Sequence, residues 1–188
     1  MYEIVFNERL IIVETNVSLF SPKGADKGTL SMIKYACFSE EDKVLDLGCG
    51  TGIVSLAACS YGVKASCITM TDVDPIACEV ALLNMKANGF EGANVVISDG
   101  LNEVSEKGFT IILSNPPYHT DFKIAKAFIE KGFNRLEVGG RMLMVTKRLD
   151  WYKNKFIAIF GGVKIHQEGD YFVFEAQKRT TQYAKAKK

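Results

Sequence analysis

The chain has 188 residues, with 23 Lys and Arg against 22 Asp and Glu, a formal net charge of +1 and 47 % apolar residues. These values exclude a wholly disordered chain and a surface that is basic throughout, the usual signature of a nucleic-acid grip. The length suits a single domain over residues 1–188, divided into an N-terminal hairpin and loop (1–28), a core (29–178) and a basic tail (179–188).

In chain order, YEIVF (2–6) and LIIVET (10–15) flank Asn7-Glu8-Arg9 and predict a short hairpin. The start of the chain carries early acidic residues and no long apolar run, so neither a signal peptide nor a membrane span is expected. LFSPKGADKGT reads as a loop, and helical spacing follows from Thr29 to Phe38. From Val44 strands alternate with helices. VLDL (44–47) is a strand, 53–62 a helix ending at Gly62, and ASCITMTD (65–72) a second strand. Asp74-Pro75 caps a helix that runs to Gly89. ANVVIS (93–98) and FTIILS (109–114) are strands three and four. Residues 121–136 are an amphipathic helix whose end is marked by Gly139-Gly140. RMLMVT (141–146) is a fifth strand, 149–160 a helix, and VKIHQE and YFVFEAQ form a hairpin around Gly169-Asp170. The expected fold class is α/β: one doubly wound, mostly parallel, Rossmann-like sheet with a short N-terminal hairpin and an antiparallel C-terminal hairpin.

Five cysteines (Cys37, Cys49, Cys59, Cys67, Cys78) form no CxxC pair, and the two histidines, His119 and His166, are far apart, so no metal site is expected. The expectation is a reduced, soluble, cytoplasmic protein with no membrane or metal partner. The tail KRTTQYAKAKK holds five basic residues and reads as a solvated end.

Two stretches carry chemistry. The first is Asp46-Leu47-Gly48-Cys49-Gly50-Thr51-Gly52, between the first core strand and its helix. Glycines there let the backbone approach a ligand at the carboxyl edge of the sheet. A dinucleotide fingerprint would need glycine three places after Gly50, where Ile53 stands, and no Gly-Lys-Ser/Thr of a P-loop follows. A carboxylate ahead of the glycines suits a cationic ligand better than a pyrophosphate. The pattern D-x-G-x-G-x-G resembles the S-adenosylmethionine loop of class I methyltransferases. That resemblance implies cofactor contacts from Asp46, Gly48, Cys49, Gly50, Gly52, Asp72, Val73, Asp99, Gly100 and Asn115. Asp72, ending the second strand, can accept from the ribose hydroxyls. Asp99 would lie near the adenine amine, and it reads equally as a turn aspartate before Gly100.

The second stretch is Ser114-Asn115-Pro116-Pro117-Tyr118-His119. In a doubly wound sheet strands one and four are neighbours, so this stretch and the glycine loop are expected to face each other. The nitrogen of a base amine or carboxamide is a poor nucleophile because its lone pair is conjugated. Two acceptors at its hydrogens draw it toward tetrahedral geometry and disperse the charge that forms on methyl attack. Asn115 can offer its side-chain oxygen, Pro116 a carbonyl held in place by two proline rings, and Tyr118 a ring face for stacking. Asn-Pro-Pro-Tyr resembles N-methyltransferases that act on base amines or glutamine amides. F-S-x(4)-D-x-G-T upstream is similar to the methyltransferase small domain family, which includes ribosomal RNA guanine-N2 methyltransferases.

By that likeness the catalytic set is Asn115, Pro116, Pro117 and Tyr118. Phe20, Ser21, Lys27, Gly28, Thr29 and His119 would lie on the substrate side; as bare sequence the first five are a turn and a helix cap, and His119 is a polar loop residue or a cap for the helix beginning near Asp121. The implied activity is methyl transfer from S-adenosylmethionine to an exocyclic amine of RNA, foremost guanine N2 of ribosomal RNA, with an RNA or ribosomal-subunit partner. A homodimer is one way for a domain of this size to hold such a substrate. The alternatives are glutamine N5 methylation of a release factor, DNA adenine methylation, and a non-catalytic cofactor- or RNA-binding module. Bacterial relatives of the guanine-N2 group carry an additional N-terminal domain, which this sequence does not show.

Overall fold

A computed structural model describes residues 1–16, 24–117 and 122–184. Strands β1 (Tyr2–Phe6) and β2 (Arg9–Val13) form the expected hairpin. Asn7 and Glu8 both take positive φ, 47° and 64°, which matches a two-residue turn to the right-handed twist of its strands. Helix α1 (Lys27–Ala36) follows, capped by Asp26.

The core then runs β3 (Val44–Leu47), α2 (Ile53–Ser60), β4 (Ile68–Asp72), α3 (Pro75–Ala87), β5 (Asn94–Ile97), β6 (Phe109–Ser114), α4 (Phe122–Arg135), β7 (Leu136–Thr146), α5 (Asp150–Phe160), β8 (Lys164–Glu168) and β9 (Tyr171–Gln177). The sheet order is β5-β4-β3-β6-β7-β9-β8, parallel except for β9 and β8. Helices α1, α2 and α3 and the hairpin pack on one face around Met32, Leu56, Met70 and Leu113; α4 and α5 pack on the other around Phe109, Phe133 and Phe156. Because β3 and β6 carry helices on both sides, their residues are buried on both faces. This is why VLDL and FTIILS read as continuous apolar runs.

Three expectations are corrected. Ala65–Cys67 is a 3-10 turn, closed by Cys67 N–H donating to the Lys64 carbonyl, and only Ile68 onward joins the sheet. Gly139-Gly140 do not end a helix: α4 stops at Arg135, whose guanidinium donates to the Ser105 and Glu106 carbonyls. The two glycines lie inside β7, where the pairing jumps from Phe109–Leu136 to Ile111–Arg141. A Cβ at Gly140 would sit 2.8 Å from the Phe109 carbonyl oxygen, so the excursion requires a glycine. The first helix begins two residues before Thr29, with Lys27 and Gly28 in its first turn.

The hairpin is held to α3 by two asparagines one turn apart. Asn88 accepts from Ile12 N–H and donates to the Ile12 carbonyl. Asn84, fully buried, does the same with Glu14 and also donates to the carbonyl of Thr51 in the glycine loop (2.9 Å). A buried amide with all these bonds made is satisfied, and removing it would strand three backbone groups.

Candidate active site

The glycine loop leaves β3 and folds back on β4, with Gly48 and Cys49 N–H both donating to the Thr71 carbonyl. Gly48 and Gly50 have φ of +80° and +53°, and a Cβ on either would meet nothing within 4 Å. Their glycine requirement is therefore conformational, and the space beside them is open for a ligand. Gly52 differs. A Cβ there would lie 3.1 Å from that of Ala81, so it serves the close approach of α2 and α3 and does not line the cavity.

Strands β3 and β6 are neighbours, as expected. Ser114 Oγ donates to the Leu47 carbonyl (2.7 Å), tying together the points where the two functional stretches leave the sheet. Between them lies a cavity of about 350 Å³, large enough for a small organic ligand. Its wall includes Asp46, Gly48, Cys49, Gly50, Asp72, Val73, Asp99, Gly100, Asn115, Pro116 and Pro117, so those expected residues converge. Among the described lining residues there are four aspartates (Asp26, Asp46, Asp72, Asp99) and no Lys, Arg or His. Such a wall repels a pyrophosphate and favours a cation.

Each carboxylate has its own setting. Asp72 accepts from Gly50 N–H (3.0 Å) and Asp74 N–H (3.1 Å), which orients it at the end of β4. Asp74 accepts from Ile76 N–H and caps α3, as expected. Asp46 is 2 % exposed; one oxygen accepts from both the backbone N–H and the hydroxyl of Ser55 in α2. Burial pushes its pKa up to about 7 against those two bonds, and the nearby Asp72 charge adds to the rise. Asp99 is exposed at the rim. Val73 beside it is 66 % exposed, an apolar side chain open to a planar ligand. Cys49 is buried and hydrogen-bonded to Cys78; that bond and burial hold its thiol protonated.

Asn115 is oriented by charge. Its Nδ2 donates to Asp26 Oδ2 and to Thr29 Oγ1, each at 2.9 Å. An ionised carboxylate only accepts, so it fixes which end of the amide faces α1 and turns the carbonyl oxygen the other way. No described group donates to that oxygen. Asp26 also accepts from Thr29 N–H, which makes the helix cap and the amide clamp one structure. Thr29 thus lies at the cavity wall. Lys27 and Gly28 do not: Lys27 borders a separate depression with Glu168 and Asp170, and Gly28 is buried against the Tyr171 ring. Phe20, Ser21, Tyr118 and His119 lie outside the described residues.

Among the lining residues that the sequence does not single out, Asp26, Tyr2, Ile124 and Phe128 bear on the chemistry. Asp26 stands in the quoted F-S-x(4)-D-x-G-T stretch, and no spacing in the sequence ties it to Asn115, 89 positions away. Tyr2 arrives from the hairpin, its hydroxyl bonded to Thr51 and its pKa raised by burial. Ile124 and Phe128 come from the inner face of α4, where apolar spacing reads simply as core. Phe128 seats on Gly100 (φ +62°), where a Cβ would be 2.9 Å from its ring.

Among the described residues no group of three or more His, Cys, Asp or Glu could hold a metal, and no helix is long and apolar enough to cross a membrane. Residues 10–175 match the model of the methyltransferase small domain. The ribosomal RNA small subunit methyltransferase C of Cronobacter sakazakii is 32 % identical over 171 residues, 88 % of this chain and 49 % of that protein. Its namesake from Psychromonas ingrahamii is 30 % identical over 91 % of this chain and 49 % of its own. The chain spans about half the length of these relatives. A T. thermophilus 16S rRNA N2 methyltransferase, solved with AdoMet and guanosine, superposes with a TM-score of 0.85 at 23 % identity over 95 % of this chain and 50 % of that one. A ribosomal protein L11 methylase from Lactobacillus delbrueckii superposes with a TM-score of 0.72 at 18 % identity, and both likenesses speak for the fold. With its family model matched from the hairpin to the last strand, the chain belongs to the methyltransferase small domain family.

Proposed function

We propose that this chain is an S-adenosylmethionine-dependent N-methyltransferase acting on an exocyclic amine of RNA, the N2 amine of guanine in ribosomal RNA. The observation that carries the reading is the Asn115 amide. Its nitrogen is held by Asp26 and Thr29, and its oxygen has no described donor, beside a cavity walled by aspartates. The relatives named as ribosomal RNA methyltransferases supply the substrate class.

The residues present fit the cofactor. The open space beside Gly48 and Gly50 admits a ligand backbone, and the acidic wall suits a sulfonium and an amino group. Asp72 is placed to accept from ribose hydroxyls, and Val73, Gly100 and Phe128 offer apolar surface to a purine. When bound, S-adenosylmethionine supplies a methyl group on a positively charged sulfur. The protein's own task is to present the amine. Asn115 Oδ1 accepts one of its hydrogens, and the Pro116 carbonyl takes the second. As the nitrogen lone pair is freed for attack, the two acceptors meet the growing positive charge; no strong base is needed at the start, because the methylated nitrogen is acidic and sheds its extra proton to water. The Pro-Pro step limits backbone freedom, so the acceptors are set before the substrate arrives.

The test is methyl transfer from labelled S-adenosylmethionine to unmodified ribosomal subunits, bulk RNA and cell protein in parallel, with RNA digested to nucleosides. Label in N2-methylguanosine is the expected result. Label confined to protein would move the assignment to a glutamine amide, and tight cofactor binding without transfer would make the chain a binding module.

A further inference from the structure

One charged aromatic cluster lies beside the cavity and takes no part in the chemistry described above. Phe122 opens α4, two residues before Ile124 of the cavity wall. Its ring stacks on Trp151 of α5, with centroids 4.4 Å apart and planes 18° from parallel. The guanidinium carbon of Arg148 lies over the same ring at 4.8 Å. Trp151 in turn meets the buried Tyr152 edge-on at 5.1 Å, so the stack rests on the core. Arg148 itself is exposed, and among the described residues no carboxylate lies within salt-bridge distance of it.

Position and charge both matter. Because β6 and β7 run parallel with Ser114 opposite Met144, β7 continues two residues further and Lys147 leaves the sheet level with Pro117. Lys147 is also exposed and lies over the Tyr171 ring at 4.9 Å. The carboxyl edge of the sheet is thereby divided. Asp46, Asp72 and Asp99 gather where β3, β4 and β5 end, while Lys147 and Arg148 leave β7 next to the Pro-Pro step. The acids described on this side are Asp26, which accepts from Asn115 and Thr29, Glu168, which is paired with Lys34, Asp150 in the first turn of α5, and Asp170 in the β8–β9 turn.

An arginine stacked on an aromatic ring keeps its outer face free, with its N–H groups in the plane. That face can stack a base while the edge donates to phosphate. We propose that Arg148, held on Phe122 and backed by Trp151, is a platform for a nucleotide of single-stranded RNA flanking the target base. The inference rests on the RNA methyltransferase reading. It names what holds the RNA strand, whereas Asn115 and Pro116 hold only the reacting amine.

Trp151 is the single tryptophan of the chain, so its fluorescence reports on this cluster alone. The experiment titrates a short single-stranded oligoribonucleotide with one central guanine, with S-adenosylhomocysteine present to prevent turnover. Inorganic polyphosphate serves as the charge-only control. Saturable quenching by the oligonucleotide, absent with polyphosphate, is expected. R148A should weaken binding by about ten-fold or more, the scale of one stacked base. R148K should bind more weakly than the parent but keep its dependence on salt, because the charge stays and the plane goes. Cofactor affinity and melting temperature should be unchanged in both.

Equal affinity for parent and R148A, or equal quenching by polyphosphate, would overturn the platform. If the parent transfers methyl to RNA while R148A binds RNA as tightly, the platform falls and the proposed activity stands. If the parent neither binds nor methylates RNA, both fall.

Discussion

The Asn115 side chain has two ends, and the fold uses them differently: Nδ2 is fixed by Asp26 and Thr29, while Oδ1 faces away from them. Asn115→Ala should keep cofactor affinity within a few-fold and lower turnover by about two to four powers of ten, the usual scale for one preorganised charge-stabilising partner. Calorimetry and a single-turnover assay separate the two effects, and an unchanged rate would refute the amide's role. Asp26 allows a finer dissection because it is both cap and orienting charge. Asp26→Ser preserves the cap, so the melting temperature should stay close to the parent's. The charge-assisted bond to Asn115 is lost, at a cost of about 1.5–3 kcal/mol in the transition state, or roughly 10- to 150-fold in rate. Loss of stability without loss of rate would show that Asp26 acts only as a cap.

Asp46 yields a prediction of sign. Its carboxyl, raised by burial to about 7, keeps a proton in the folded state that the unfolded chain releases near 3.8. Its contribution to stability is therefore full below about pH 4 and is lost as pH rises to 7. Asp46→Asn can still accept from both Ser55 donors through its amide oxygen, and it cannot ionise. Relative to the parent, this variant should gain in urea midpoint as the pH is raised from 5 to 8. A difference that stays flat over that range would show that Asp46 does not titrate there.

At the scale of elements, α1 is the part that brings Asp26 and Thr29 to Asn115, and its seat is the Tyr171 ring at the start of β9. A Cβ at Gly28 would lie 2.7 Å and 2.8 Å from two ring carbons of Tyr171 and 2.9 Å from Asp26 Oδ2. In an exposed helix Gly→Ala stabilises by about 1 kcal/mol; at this position overpacking should reverse the sign and destabilise by about 1–3 kcal/mol. Gly28→Ala should therefore lower both the melting temperature and turnover, since relieving the clash displaces the Tyr171 ring and the Asp26 carboxylate that holds the amide. A stabilised, fully active variant would show that α1 can shift without disturbing the clamp.

At the scale of the molecule, what the sequence made legible follows from how local each signal is. VLDL and FTIILS could be bounded to the residue because fully buried parallel strands end abruptly in turn residues. Their adjacency followed from the doubly wound order, and with it the facing of glycine loop and Pro-Pro step. The Asp26–Asn115 contact spans 89 positions and leaves no periodic trace, so nothing in the sequence singles Asp26 out. Tyr2 reaches the cavity only because the whole hairpin docks on α3. Gly139-Gly140 misled because a glycine pair signals a helix end and a strand bulge equally well. The aromatic stack of Phe122 and Trp151 joins two helices separated by β7, and neither ring is marked in its own segment.

The buried Asn84 side chain grips the Glu14 backbone with one hand and the Thr51 carbonyl with the other. A coupling of this kind is reciprocal: whatever free energy a ligand gains by ordering the glycine loop is returned as resistance of the hairpin to opening. Limited proteolysis within residues 1–16 should accordingly slow when S-adenosylmethionine is added, and Asn84→Ala should weaken that protection even at saturating cofactor, leaving what Tyr2 alone supplies. The first sixteen residues would then serve as a gauge of occupancy for a cavity to which, among them, only Tyr2 contributes a wall.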